Sequence, residues 1–166
     1  MNRRQDVPSS IDALLERGYR YAFSLAHDAI EAEDLLQDAC LSILASDGSW
    51  EQAYVFTTIR NRFIDRYRRN RKILFLSLDH DQQSSDGQYA DLNWDVPDVL
   101  QSGQLARALG ALRPEEREAL FLAVVEGYTA EEIAELTARP RGTILSLLYR
   151  TKAKLRDLLR KSSVRP

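Results

Sequence analysis

Between Tyr54 and Lys72 the chain reads YVFTTIRNRFIDRYRRNRK, a run in which aromatics alternate with a dense cluster of arginines. Cations neutralise phosphates, and an aromatic ring offers a flat face on which an unstacked base can rest. The mixture is therefore suited to holding nucleic acid. Trp50, Tyr54 and Phe56 are the stacking candidates, although some of them must also serve as core. Arg60, Arg62, Arg66, Arg68 and Arg69 suit phosphate, which adds affinity without sequence choice. Asn61 carries a paired donor and acceptor that can address a base edge. Asp65 is expected to orient an arginine rather than touch DNA. A solvated helix face would also explain a charge run, but such faces mix signs, and this one is largely of one sign.

These groups need a rigid support. On a helix, Val55, Ile59, Phe63 and Tyr67 recur every fourth residue and form one apolar stripe. Asn61, Asp65, Arg68 and Lys72 fall on the opposite side, bordered by Arg62, Arg66 and Arg69. Two further helices precede this one. Ser9 with Asp12 is expected to open the first, Asp28 with Glu31 the second, and Ser49 with Gln52 the basic third.

The chain has 166 residues and a formal net charge of −2, enough for one ordinary domain or two small ones. The total hides an asymmetry. No Lys or Arg lies between Lys72 and Arg107, while Asp79, Asp81, Asp86, Asp91, Asp95 and Asp98 accumulate there. Cys40 is the sole cysteine, which excludes an intramolecular disulfide and a multi-cysteine zinc site. Its apolar helical neighbours point to a structural thiol. Neither His27 nor His80 completes a ligand set with Glu33, Asp34 and Asp38, so no metal or other cofactor is expected. MNRRQDVPSS lacks the apolar core of a signal peptide, and no apolar run is long enough to span a bilayer. The expectation is a cytoplasmic protein without membrane insertion.

From Leu76 to about Ser102 the sequence is polar, acidic and aperiodic, with Gly87 and Pro97 as breakers. It reads as an extended tether, or as a loop that packs Tyr89, Leu92 and Trp94 on a neighbouring domain. Helical periodicity returns at Leu105. A helix opens at Pro114 and closes near Gly127, and Thr129 with Glu132 caps a short one. The turn TARPRG then leads into a last helix on which Ile144, Leu147, Leu148, Leu155 and Leu159 share a face. A short helix, a tight turn and a longer basic-tipped helix form a helix-turn-helix pattern.

Taken together, the pieces resemble a bacterial sigma factor of the extracytoplasmic-function group, within the sigma-70 family of RNA polymerase sigma subunits. AEDLLQDACLSIL (Ala32 to Leu44) looks like that group's core-binding helix, with its E-D-L-x-Q-[DE]-x-[FC]-[LI] pattern. AYVFTTIRNRFIDRYRR (Ala53 to Arg69) looks like its promoter-melting and −10-reading helix. ALGALRPEEREALFLAVVEGYTAEEIAEL followed by GTILSLLYRTKAKLR looks like its −35-reading domain. The resemblance implies an all-α chain of two small helical domains. A sigma-2-like bundle (9–72) and a sigma-4-like helix-turn-helix (103–161) would be joined by an acidic linker (73–102). It implies no catalysis, and it implies core RNA polymerase (its clamp helices and flap), promoter DNA and an anti-sigma factor as partners.

By resemblance, Asp34, Leu35, Gln37, Asp38 and Leu41 would meet the polymerase clamp helices. Trp50, Tyr54, Phe56, Asn61 and the five arginines would open and read the −10 element. Tyr54 stands where the group usually has a packing tryptophan, and the short loop SDGSWEQ before the helix carries over no base contacts. Arg139, Arg141, Thr143, Ser146, Tyr149, Arg150 and Lys152 would meet the −35 element. Here the chain departs from the group: the usual V-K-S-R-L after Gly-Thr is Ile144-Leu145-Ser146-Leu147-Leu148, with leucines at two cationic positions. Leu145 is expected to project from the edge of the apolar face. The alternative is a sigma-like interaction module that binds polymerase or a regulator with little DNA affinity. An enzyme, such as a nuclease using Asp34, Asp38 and Asp65, lacks any signal bringing Asp65 beside the other two.

Overall fold

The computed structural model describes residues 10–77 and 103–163, and the side chains of 10–70 and 103–161. Among the described residues there are seven α-helices and no strand. They are α1 (Ile11–Ala26), α2 (Ala29–Ala45), α3 (Gln52–Ser77), α4 (Gly103–Gly110), α5 (Pro114–Val124), α6 (Ala130–Thr137) and α7 (Arg141–Ser163). The expected linker begins later than residue 73, because 73–77 continue α3. The rest of it, with Tyr89, Leu92 and Trp94, lies outside the described residues.

Local chemistry sets the helix ends. Ser10, rather than Ser9, caps α1 by accepting from the N–H of Ala13. Asp28 caps α2 by accepting from the N–H of Glu31 at 2.8 Å. Ser49 does not reach the N3 amide of α3 and accepts from the N–H of Glu51 instead. Thr129 and Glu132 exchange both bonds of a capping box at the start of α6. Pro114 opens α5, where its missing N–H removes no helical bond, and the N–H of Arg113 donates to the Glu116 carboxylate.

Helices α1, α2 and α3 pack on one another through Leu14, Tyr21, Ala22, Leu25, Ala32, Leu35, Ala39, Ile43, Val55, Phe56 and Ile59, all buried. Gly18 permits the close approach, since a Cβ there would lie 3.0 Å from Leu36 Cδ1 and 3.4 Å from Ile59 Cδ1. Helices α4 to α7 form the second group, in which α7 packs against α4, α5 and α6. The two groups pack on each other. Helix α5 lies on α1, α6 touches α3, and Leu122, Tyr128, Ile133 and Ile144 join the same apolar core as the first three helices. Tyr21 stacks on Phe56 with ring centroids 4.4 Å apart and leans on Phe121 at 6.1 Å.

Polar pins cross this contact. Glu118 accepts from the Tyr21 hydroxyl at 2.6 Å and from Arg60 Nε at 2.9 Å. Burial, followed by the Glu118 charge, holds the Tyr21 hydroxyl well above its ordinary pKa, so it stays a donor. Glu126 accepts from Arg17 Nη2 at 2.7 Å and from Gln52 Nε2 at 3.0 Å. Arg117 donates to the carbonyls of Ser24 and Leu25 at 2.9 Å each and to that of Leu112. The first two belong to the last turn of α1, where carbonyls lack helical partners and the helix dipole favours a cation.

Removing one member of a buried pair strands the other, at a cost of about 3–5 kcal/mol unless the structure opens to solvate it. Opening limits that cost here. Glu118→Ala is therefore expected to separate the two helical groups and raise the radius of gyration by small-angle scattering, with helicity by circular dichroism unchanged. An unaltered radius would show that apolar packing alone suffices. A second expectation concerns His27, the left-handed C-cap of α1, which packs on Gly110. Burial, then the nearby Arg117 charge, lowers its pKa from 6.5 to about 4. The unfolded chain thus takes up this proton first as pH falls. The stabilisation is complete above pH 6.5, is lost between 6.5 and 4, and changes little below. Thermal melts across that window should fall more steeply for the native chain than for His27→Asn, which also tolerates the left-handed conformation.

Candidate nucleic-acid interface

Helix α3 forms because its apolar residues recur at helical spacing, and the structure uses that stripe as read from the sequence. Val55 and Ile59 are fully buried, Phe63 and Tyr67 are half-buried and stacked on each other with centroids 6.2 Å apart. Asn61, Asp65, Arg68 and Arg69 are exposed on the far side. Asp65 makes its described contact with an arginine through the backbone, where its carbonyl accepts from Arg69 Nε at 3.4 Å.

The aromatics divide. Trp50 and Tyr54 are 36% and 43% exposed, so each shows a ring to solvent. Gly48 makes this possible for Tyr54, because any Cβ at Gly48 would lie 2.9 Å from the Tyr54 ring. Phe56 is a correction: it is wholly buried against Tyr21 and has no face left for a base. It neighbours Val55 on a stripe wider than one residue, so it belongs to the core.

The arginines divide as well. Arg60 is the second correction, because it turns inward to the Glu118 carboxylate, and only 13% of its side chain is exposed. Arg62 donates to the Ser42 hydroxyl at 2.8 Å, and Arg66 pairs with Asp38. Those two tie α3 to α2. Arg68 and Arg69 are exposed, with no ion pair among the described residues.

On α2, Asp34, Gln37 and Leu41 are exposed. Asp38 is half-buried under Arg66. Leu35 is fully buried, a third correction: it shares the inward face with Ala32, Ala39 and Ile43. The sequence reading passed over Ile30 and Leu44, which are exposed at 75% and 64% on the same helix as Leu41. Their signal was present as apolar residues off the buried period. Cys40 is half-buried, and burial raises its thiol above the ordinary pKa.

Helices α6 and α7 meet through a turn in which Ala138 adopts the left-handed conformation (φ 53°). Ile144 and Thr151 are buried, and Leu147 and Leu148 are half-buried. Arg141, Thr143, Ser146, Tyr149, Arg150 and Lys152 are exposed, and Arg139 is half-buried. Arg141 Nε lies 3.5 Å from Glu131 in an exposed pair that solvent weakens. Leu145 projects from the edge of the apolar face, as its spacing predicted.

Known proteins share this arrangement. Residues 11–73 match the model of sigma-70 region 2, and residues 102–155 match that of sigma-70, region 4. The chain is 30% identical over 164 residues to the ECF RNA polymerase sigma factor EcfG of Rhodopseudomonas palustris, covering 94% of this chain and 84% of that one. It is 29% identical over 152 residues to the ECF RNA polymerase sigma factor SigE of Mycolicibacterium smegmatis, covering 89% of this chain and 59% of that protein. Among solved structures, the sigma factor RpoE of Bartonella quintana, crystallised in complex with the anti-sigma factor NepR, is similar with a TM-score of 0.70. Its sequence identity is 27%, with 90% of this chain and 94% of that one covered. With helical regions 2 and 4 both present in order, the chain belongs to the sigma-70 family, as an alternative sigma factor of the extracytoplasmic-function group.

Proposed function

We propose that this chain binds core RNA polymerase through the exposed side of α2 and directs it to promoters, with α3 opening and reading the −10 element and α7 reading the −35 element. The single observation that carries the reading is the outward face of α3, which exposes Asn61, Arg68 and Arg69 along its length and follows the exposed rings of Trp50, just before the helix, and Tyr54 in its first turn. Aromatic stacking holds unpaired bases at about 1–3 kcal/mol each, and flanking guanidinium groups hold the phosphates. The polymerase surface is assigned to Asp34, Gln37 and Leu41, extended by Leu44 and Ile30, an apolar and acidic strip that needs a partner. Such a protein works where the polymerase is, in the cytoplasm. No helix among the described residues is long and apolar enough to cross a membrane.

Arg60 is assigned a conditional role. It cannot hold Glu118 and a phosphate together, so full use of the basic helix requires α5 to leave α1. An anti-sigma factor that favours the closed form would keep Arg60 occupied. It would grip the outside of the two helical groups, because the space between α1 and α5 is filled by Tyr21, Phe121 and the polar pins. The exposed Leu145 favours a second reading, a polymerase- or regulator-binding module with little DNA affinity.

Run-off transcription with cognate core polymerase separates the two. Addition of this chain is expected to start transcripts at discrete genomic promoters. Stable polymerase binding without initiation at any promoter would leave the module. Within the first reading, Asn61→Ala should change which −10 sequences are used. Arg68→Ala should instead weaken all promoters and reduce the salt dependence, which scales at about 0.9 per duplex phosphate neutralised. Equal losses on every −10 sequence for both variants would remove Asn61 as a base reader.

A further inference from the structure

Over its first three turns the outward stripe of α7 carries no charge at its centre. Gly142, Leu145, Ser146 and Tyr149 follow one another at helical spacing, and all four are exposed, Leu145 at 43% and Tyr149 at 80%. The cations stand at the rim: Arg141 one turn before Leu145, Arg150 one turn after Ser146, and Lys152 one turn after Tyr149. At Gly142 an added Cβ would meet nothing within 4 Å. None of the described residues fills that space, which leaves it open to a partner.

An apolar strip with a cationic rim, on the second helix of a helix-turn-helix, fits one feature of duplex DNA. In the major groove the bases present hydrogen-bonding groups and a single apolar group, the C5-methyl of thymine. Guanine is read by bidentate Arg or Lys, and leucine supplies neither donor nor acceptor. The rim cations would face phosphates on either side while Leu145 and Tyr149 face base edges.

We propose that Leu145, with Tyr149 one turn behind it, is a specificity-determining residue that selects thymine in the −35 element through its C5-methyl group. This rests on the assignment of α7 to −35 DNA and adds which base it prefers and by what contact. Closing a methyl group away from water contributes about 0.8 kcal/mol, or roughly fourfold in affinity per methyl. Preference at such a position is accordingly shallower than an arginine-to-guanine contact would give.

The test uses holoenzyme assembled from the full chain and cognate core polymerase. Preferred −35 sequences are first selected from a promoter library randomised in that element. Each thymine is then replaced by deoxyuridine, which removes the methyl group and nothing else. At one or two positions the replacement is expected to lower promoter binding about fourfold for the native chain and not at all for Leu145→Ala. Leu145→Arg is expected to move the preference at that position from thymine to guanine, a gain that a misfolded variant cannot produce. If −35 sequence matters but deoxyuridine is neutral everywhere, methyl reading is wrong and the −35 assignment survives. If −35 sequence has no effect in promoter selection, both fall. Loss of polymerase or regulator binding by Leu145→Ala, with DNA preference unchanged, would make the strip a protein contact and overturn the proposal.

Discussion

The way the two helical groups meet depends on a buried cation, Arg117, held by carbonyl oxygens rather than by a carboxylate. Its guanidinium closes the C-terminus of α1 through Ser24 and Leu25 and reaches Leu112 at the turn between α4 and α5. Burial lowers its pKa to about 10, so it remains charged at neutral pH. A charge in that position is tolerable only if every carbonyl it faces stays where it is. That requirement sets α5 on α1. The next residue, Glu118, then has Tyr21 and Arg60 as its partners.

One consequence is a division of labour along the basic helix. Arg60 is used to close the molecule, Arg62 and Arg66 hold α3 to α2, and Arg68 and Arg69 remain outside. Five arginines that look equivalent in sequence therefore have three different surroundings. Under the proposed function, the closed form and promoter DNA would compete for Arg60, which would link the conformation of the chain to its activity.

Much of the fold was legible because it is encoded locally. The stripe from Val55 to Tyr67, the Asp28 cap, the Thr129–Glu132 box and the edge position of Leu145 all follow from neighbours three or four residues apart. Resemblance puts Leu35 on a surface although it sits on the period of Ala32, Ala39 and Ile43, and stacking chemistry makes Phe56 a candidate although it adjoins Val55 on the core stripe. Here helical spacing was the better guide. Ile30 and Leu44 lie off that period as apolar residues, a signal in the sequence that their exposure bears out.

The sequence alone determined the helices, their apolar faces and the order of two sigma-type segments, because each depends on spacing within a few residues. It could not determine that the segments close on each other. The pins joining Arg17 to Glu126, Tyr21 to Glu118, Arg60 to Glu118 and Arg117 to Ser24 bridge residues 109, 97, 58 and 93 positions apart. No local pattern marks such partners, since a charged side chain has the same sequence signature whether it faces water or a buried counterpart. Only the packing of α5 on α1 brought them together.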